Sequence, residues 1–276
     1  MDASGPLRRS ERVTFADGSG HLLAGIVDLP ASQPTAMAVF AHCFTCSKDI
    51  KATVRIARAL ASRGFAVLRF DFMGLGDSAG SFADSSFTTN CQDLRQAVQF
   101  AAANYLPPSL LVGHSFGGAA CLAVAEQIES VRGVATIASP SDTQHLAALL
   151  ERMNPAIASA GQGEVTIGGR TYTITRRMLD DFRAFNMHDT LQAFSKQVLI
   201  FHSPGDETLR FGHALRLLAA LTRGSPERVQ HHHEAHSLAS LISLPGADHL
   251  LVNRPADIDY VVAMLATWWQ RLHQSY

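Results

Sequence analysis

The chain has no apolar run long enough to span a bilayer, few cysteines and almost no net charge. Each shortage removes a class of function. A transmembrane helix needs about 20 consecutive apolar residues, and none is present. Residues 1–12 are polar and charged with no apolar stretch behind them, so they read neither as a secretory leader nor as an anchor. Four cysteines (Cys43, Cys46, Cys91, Cys121) in 276 residues are too few for a disulfide scaffold. A formal net charge of −1 gives no electrostatic case for nucleic acid or an anionic membrane surface. The expectation is a soluble, cytoplasmic protein whose partner is a small molecule. What is abundant is core-forming residues: at 47% hydrophobic the chain can bury one sizeable core, with room for a small excursion.

The order of patterns points to an α/β protein. Asp17-Gly18-Ser19-Gly20 separates two strand-like stretches at 12–15 and 22–29, an N-terminal hairpin. Short apolar runs at 36–41, 65–72, 110–112, 133–138 and 197–202 read as strands, with a further one near 238–244. Helical spacing marks 50–63, ending at Gly64, then 87–105, a run from 119 to about 129, 214–221 and 258–272. Strands that are apolar throughout, alternating with helices, predict a largely parallel sheet covered on both faces. The rhythm breaks after Pro140. Within 141–186 lies a second hairpin signal, Val165 and Ile167 against Tyr172 and Ile174 around Gly168-Gly169. The expected division is a core of 1–140 and 187–276 with an inserted cap, 141–186.

One stretch carries the chemistry. The apolar run Leu110-Leu111-Val112 leads into Gly113-His114-Ser115-Phe116-Gly117-Gly118, and a small apolar run follows. Strand, tight turn and helix with serine at the apex is the pattern of a strained nucleophile turn, which needs small flanking residues. Reactive groups gather at the carboxyl ends of parallel strands. Asp206 follows the 197–202 strand in His202-Ser203-Pro204-Gly205-Asp206-Glu207, and His249 follows the last strand in Gly246-Ala247-Asp248-His249. A serine hydroxyl needs a neighbouring imidazole to take its proton, and the imidazole needs a carboxylate to fix its tautomer. The candidate catalytic set is Ser115, His249 and Asp206, with Glu207 and Asp248 as competitors for the carboxylate role. An oxyanion needs two donors: Phe116 N–H, after the serine, and an N–H of the loop 41–49, for which Phe44 is best placed. His42, Cys43, His114, Tyr172 and Phe182 are the candidate pocket residues.

On these residues the chain resembles an α/β-hydrolase-fold serine hydrolase of esterase type. The resemblance runs through His42-Cys43-Phe44-Thr45, Arg69-Phe70-Asp71-Phe72-x-Gly74-x-Gly76-Asp77-Ser78, the Ser115 turn and the His249 segment, over roughly 10–272. Cys43 stands where that family usually has glycine. With Cys46-Ser47-Lys48-Asp49 it resembles a narrower group, in which the hydrolase domain is often fused to an OsmC-type domain. The resemblance implies a cofactor-free esterase acting on short acyl or aryl esters, hydroxycinnamoyl ones included. Thioesterase, lactonase and amidase chemistry use the same triad and stay open.

Other motifs are weaker. Cys43-Phe44-Thr45-Cys46 is a C-x-x-C, but it lies in the loop ahead of the helix at Ile50 rather than opening that helix, and has no second pair, so small side chains in a tight loop is the simpler reading. Its rival is a non-catalytic or thiol-redox accessory module centred on Cys43 and Cys46. His231-His232-His233-Glu234-Ala235-His236 departs from metalloprotease spacing and suggests an exposed loop; no metal is assigned to it. Gly74-Leu75-Gly76-Asp77 fails the dinucleotide fingerprint and reads as a turn beside the site. The segment 141–186 should sit above Ser115 and form the pocket; its polar and aromatic mix (Gln144, His145, Met153, Tyr172, Met178, Phe182, Phe185) and its charged residues suit a modest ester better than a long lipid.

Overall fold

The computed structural model describes residues 9–222 and 238–274. Eight strands form one sheet in the order β1-β2-β4-β3-β5-β6-β9-β10. These are β1 (Arg9–Ala16), β2 (Leu22–Leu29), β3 (Ala36–Ala41), β4 (Phe65–Phe70), β5 (Leu110–His114), β6 (Gly133–Ile137), β9 (Gln197–His202) and β10 (Ala239–Ser243). From β4 to β10 every neighbouring pair is parallel, while β1–β2 and β2–β4 are antiparallel. Strands β3 to β6 are buried along their whole length. That explains why they read as unbroken apolar runs: helices cover both faces, so neither side chain direction meets water.

The two faces form two cores. Ala38, Phe40, Val67, Val112 and Leu199 pack with Ile56 and Leu60 of α1 (Lys51–Ala61) and with Val261 and Leu265 of the last described helix, α9 (Pro255–Gln274). Their strand neighbours Met37, Val39, Leu68, Leu111 and Ile200 point the other way, against α2 (Phe87–Asn104), α3 (Phe116–Ala125) and α8 (Gly212–Thr222). α2 begins with a capping box, in which Ser86 and Thr89 exchange side-chain and backbone hydrogen bonds. α3 stops at Ala125, four residues before the expected end. The chain continues as i→i−3 turns through Gln127 and Ile128, while Glu126 accepts from Ser195 and Lys196 N–H. Among the described residues no helix is long and apolar enough to cross a membrane.

Between β6 and β9 lie α4 (Gln144–Met153), α5 (Ala156–Ala160), the antiparallel hairpin β7 (Gln162–Ile167)–β8 (Arg170–Thr175), α6 (Arg176–Ala184) and α7 (Met187–Gln192). The hairpin pairs Val165 with Tyr172 around Gly168-Gly169, both at positive φ. The inserted elements share the α2–α3 core through Leu146, Leu150, Met178 and Phe182. The histidine-rich stretch 231–236 lies outside the described residues.

Candidate active site

Ser115 joins β5 to α3 at φ +52° and ψ −123°, a left-handed conformation that non-glycine residues seldom adopt. Close approach of the backbone keeps it there. A Cβ on Gly113 would run into Gly118 Cα, and one on Gly117 into the carbonyl oxygens of Ala41 and His42. Ser115 N–H donates to Ile137 O at 2.8 Å, and Gly118 N–H donates to Ser115 O at 2.9 Å. The hydroxyl is thereby held at the carboxyl ends of the central strands.

There it meets the two other residues named from sequence. His249 Nε2 lies 3.0 Å from Ser115 Oγ, and His249 Nδ1 lies 2.8 Å from Asp206 Oδ2. With Nδ1–H donating to the carboxylate, Nε2 remains as acceptor for the serine hydroxyl. Asp206 Oδ1 accepts from Thr208 N–H at 2.9 Å and Leu209 N–H at 2.8 Å. Burial alone would raise the Asp206 carboxyl; the hydrogen bond and charge of His249, with the two N–H donors, outweigh it and hold the group below the usual range. The competitors fall away. Glu207 is exposed, and Asp248 accepts from Val252 and Asn253 N–H in its own turn.

Phe44 and Phe116 come together above the serine turn, their rings 5.7 Å apart. Phe116 opens α3, so its N–H has no intrahelical acceptor. Neither N–H donates to a backbone carbonyl among the described loop and turn hydrogen bonds. The loop carrying Phe44 is pinned at both ends. At its start, His42 Nδ1–H donates to Cys43 O at 2.8 Å and Nε2 accepts from Phe72 N–H at 3.3 Å. At its end, buried Lys48 donates to Asp71 at 2.7 Å and Asp77 at 2.6 Å, and its own N–H donates to Asp71 at 2.6 Å. Arg69 continues this network to Asp49 and Asp28. Lys48, Asp49, Arg69, Asp71 and Asp77 belong to the motifs that carry the family resemblance, but nothing in the sequence showed that they pair with one another.

Cys43 and Cys46 form a disulfide. This corrects the reading of two small unbonded side chains in a tight loop. The turn closed by Cys46 N–H donating to Cys43 O at 3.1 Å brings the two Cα atoms to 5.3 Å, within disulfide range. Cys91 and Cys121 are free and buried.

A cavity of about 580 Å³ opens beside Ser115. Of the expected pocket residues, Cys43 and Tyr172 line it, while His42, His114 and Phe182 do not. His42 is spent on the loop backbone. His114 sits beneath the site with Nε2–H donating to His249 O at 2.7 Å. Burial lowers it to about 3, so it stays neutral. Phe182 lies behind the wall, against Phe44 and Phe116. Met153 lines the cavity too, as expected for 141–186; the part of the wall missed from sequence is apolar, Leu146, Leu149 and Leu150 of α4, with Ile167 and Leu250. The i, i+3, i+4, i+7 spacing of the α4 residues was the available signal. A hollow of about 750 Å³ between α9 and the start of β4, lined by Thr35, Arg63, Phe65 and Trp269, contains none of the chemistry above.

Among the described residues one grouping, Asp142, His145 and His213, could hold a metal ion. Its donors are already engaged: His145 Nδ1 with Asp142 O at 2.8 Å, and His213 Nδ1 with Ser141 N–H at 3.1 Å. The Arg216 guanidinium lies 4.0 Å from Asp142, where it supplies positive charge.

A serine on a strained strand–helix turn, over the carboxyl edge of this sheet order, defines an α/β hydrolase, and the chain belongs to the alpha/beta hydrolase family, matched over residues 38–259. Among solved structures it is similar to an esterase domain of a Rhodothermus marinus protein. The two are 38% identical over 95% of this chain and 98% of that one, with a TM-score of 0.73. Est1E from Butyrivibrio proteoclasticus, solved with ferulic acid bound, shares the fold at 17% identity over 95% and 99% of the two chains, TM-score 0.77. So does XC6422 from Xanthomonas campestris, described as a serine hydrolase without a lid, at 20% identity over 95% of each chain, TM-score 0.65. No curated protein matches the sequence.

Proposed function

We propose that the protein is a serine carboxylesterase that works through an acyl-enzyme. The observation that carries this reading is the unbroken hydrogen-bond series Ser115–His249–Asp206 at the floor of the cavity. Ser115 Oγ attacks the ester carbonyl as His249 Nε2 takes its proton; Asp206 holds the ring and stabilises the imidazolium. The negative charge on the former carbonyl oxygen is met by Phe44 and Phe116 N–H. His249 returns the proton to the leaving alcohol, and a water activated by the same ring releases the acid. The 38% identity to an esterase domain supports esters over other acyl compounds.

The substrates are short acyl or aryl esters, hydroxycinnamoyl esters among them. An apolar wall of leucines, with Tyr172 at one side, suits an aliphatic or aromatic group, and about 580 Å³ suits a small one. The segment 141–186 acts as a cap that supplies most of that wall. Fluorophosphonate labelling with hydrolysis of p-nitrophenyl acetate, butyrate and octanoate tests the reading. One label per chain is expected, lost in Ser115→Ala together with turnover by about four orders of magnitude or more. A folded wild-type protein that takes no label, or a Ser115→Ala variant that keeps its turnover, would refute it.

A further inference from the structure

The Cys43–Cys46 disulfide encloses two residues, Phe44 and Thr45, and the first carries the N–H assigned above to the oxyanion. Thr45 stands at φ +61°, a left-handed conformation unfavourable for a β-branched residue, and its hydroxyl donates back to Phe44 O. The conformation that aims the Phe44 amide is therefore one the free chain would seldom adopt. The tertiary restraints on this stretch are the disulfide, the Tyr172 hydroxyl donating to Thr45 O at 3.1 Å, and the packing of the Phe44 ring against Phe82, Phe116 and Phe182. The flanks are fixed by other means, His42 by Phe72 N–H and Lys48 by Asp71 and Asp77. Opening the disulfide thus removes the covalent tie across the turn and loosens the backbone at Phe44 and Thr45, while the ring contacts and the loop's anchors to the sheet stay in place.

We infer that the Cys43–Cys46 disulfide is a positioning element of the oxyanion site, so that the oxidised protein is the fully competent esterase and a dithiol lowers its turnover. The inference rests on the acyl-enzyme reading of Ser115. Access favours the reaction: both cysteines line the cavity, and Cys46 is the more exposed of the two. A thiolate of the dithiol attacks Cys46 Sγ, forming a mixed disulfide, and the sulfur–sulfur bond breaks with its electron pair going to Cys43 Sγ, which takes a proton. The second thiol of the reagent then attacks its own sulfur in the mixed disulfide, releasing Cys46 as a thiol. Two electrons and two protons pass to the protein, and the reagent leaves as a cyclic disulfide.

Removing an oxyanion donor outright costs about 10²–10³ in kcat; a donor that is present but loosely held should cost less, about 5–50-fold. The KM, set by the leucine wall, should stay within about twofold. The experiment is dithiothreitol titration of the native full chain, counting thiols and measuring p-nitrophenyl butyrate kinetics before treatment, after treatment and after reoxidation. A boronic acid that mimics the tetrahedral intermediate is measured alongside. The expected result is two thiols gained, a reversible fall in kcat at steady KM, and weaker boronate binding by a similar factor. Cys43→Ala/Cys46→Ala should match the reduced enzyme and ignore dithiothreitol; if that variant does not fold, the wild-type titration carries the test alone. Two thiols gained with kcat unchanged would overturn the inference, as would four free thiols in the air-purified protein. Failure of the acyl-enzyme reading looks different: the untreated, oxidised protein would neither take fluorophosphonate nor hydrolyse ester.

Discussion

At the scale of single residues, the Ser115 turn depends on atoms that are missing. Gly117 sits where a methyl group would meet two carbonyl oxygens of β3 and its following loop. Those oxygens belong to backbone held in the sheet and cannot swing aside as a flexible side chain would. Gly117→Ala should therefore displace the start of α3 and with it Phe116 N–H. The expected loss is about 1–3 kcal/mol in urea unfolding, accompanied by a fall in kcat larger than any change in KM. The three-residue series was legible for the same local reason. A glycine-flanked serine between strand and helix, and an aspartate and a histidine after later strands, are features of short windows. The disulfide was not legible, because C-x-x-C spacing permits it without requiring it; the turn closed from Cys46 N–H to Cys43 O, with Thr45 at positive φ, decides it.

Among the elements, α4 and the β7–β8 hairpin set what the site can accept. α4 places Leu146, Leu149, Leu150 and Met153 on one face, and Leu146 and Leu150 are buried while Leu149 and Met153 remain partly open to the cavity. Leu149→Trp should fill that opening without disturbing the buried pair. The expected outcome is about a tenfold drop in kcat/KM for p-nitrophenyl octanoate with acetate changed less than about twofold. Equal losses on both esters would show that the α4 face does not hold the acyl chain. From sequence this segment read as polar, aromatic and charged. Its charged residues, such as Arg176, Arg177 and Asp180, do face solvent on α6. Periodicity reveals that a helix has an apolar face; whether that face meets the core or a cavity depends on neighbours far away in the chain.

For the whole molecule, the apolar layers on the two sides of the sheet supply the framework, and buried Asp93 is one of the groups that make its stability depend on pH. Asp93 of α2 lies in the core, where its carboxylate accepts from Met73 N–H at 2.9 Å. Burial, with the nearby Asp17 charge, raises it from 3.8 to about 7. The folded protein then holds a proton that the unfolded chain releases near pH 4. The contribution of Asp93 to stability consequently falls as pH rises from about 4 to about 7 and levels off above that, while buried His114, held neutral, contributes in the opposite sense. The contribution of this one group is on the order of 4 kcal/mol at most. Asp93→Asn keeps an acceptor for Met73 N–H and removes the titration. Urea unfolding at pH 4 and pH 8 should show the variant gaining on wild type as pH rises; a gap that stays constant with pH would remove Asp93 as its cause.

The sequence by itself determined the class of fold, the order of strands and helices in the core, the hairpin near Gly168 and the Ser115, Asp206 and His249 candidates. Each follows from residue periods, turn chemistry and strand-end positions, which act over a few residues. Only the tertiary structure decided that His42, His114 and Phe182 stand behind the cavity wall, that leucines of α4 form it, and that Lys48, Asp71 and Asp77 anchor the Phe44 loop. Those outcomes depend on which surfaces meet when a parallel sheet is covered on both faces. A side chain's direction is local, but what it faces is set by segments that can lie a hundred residues away.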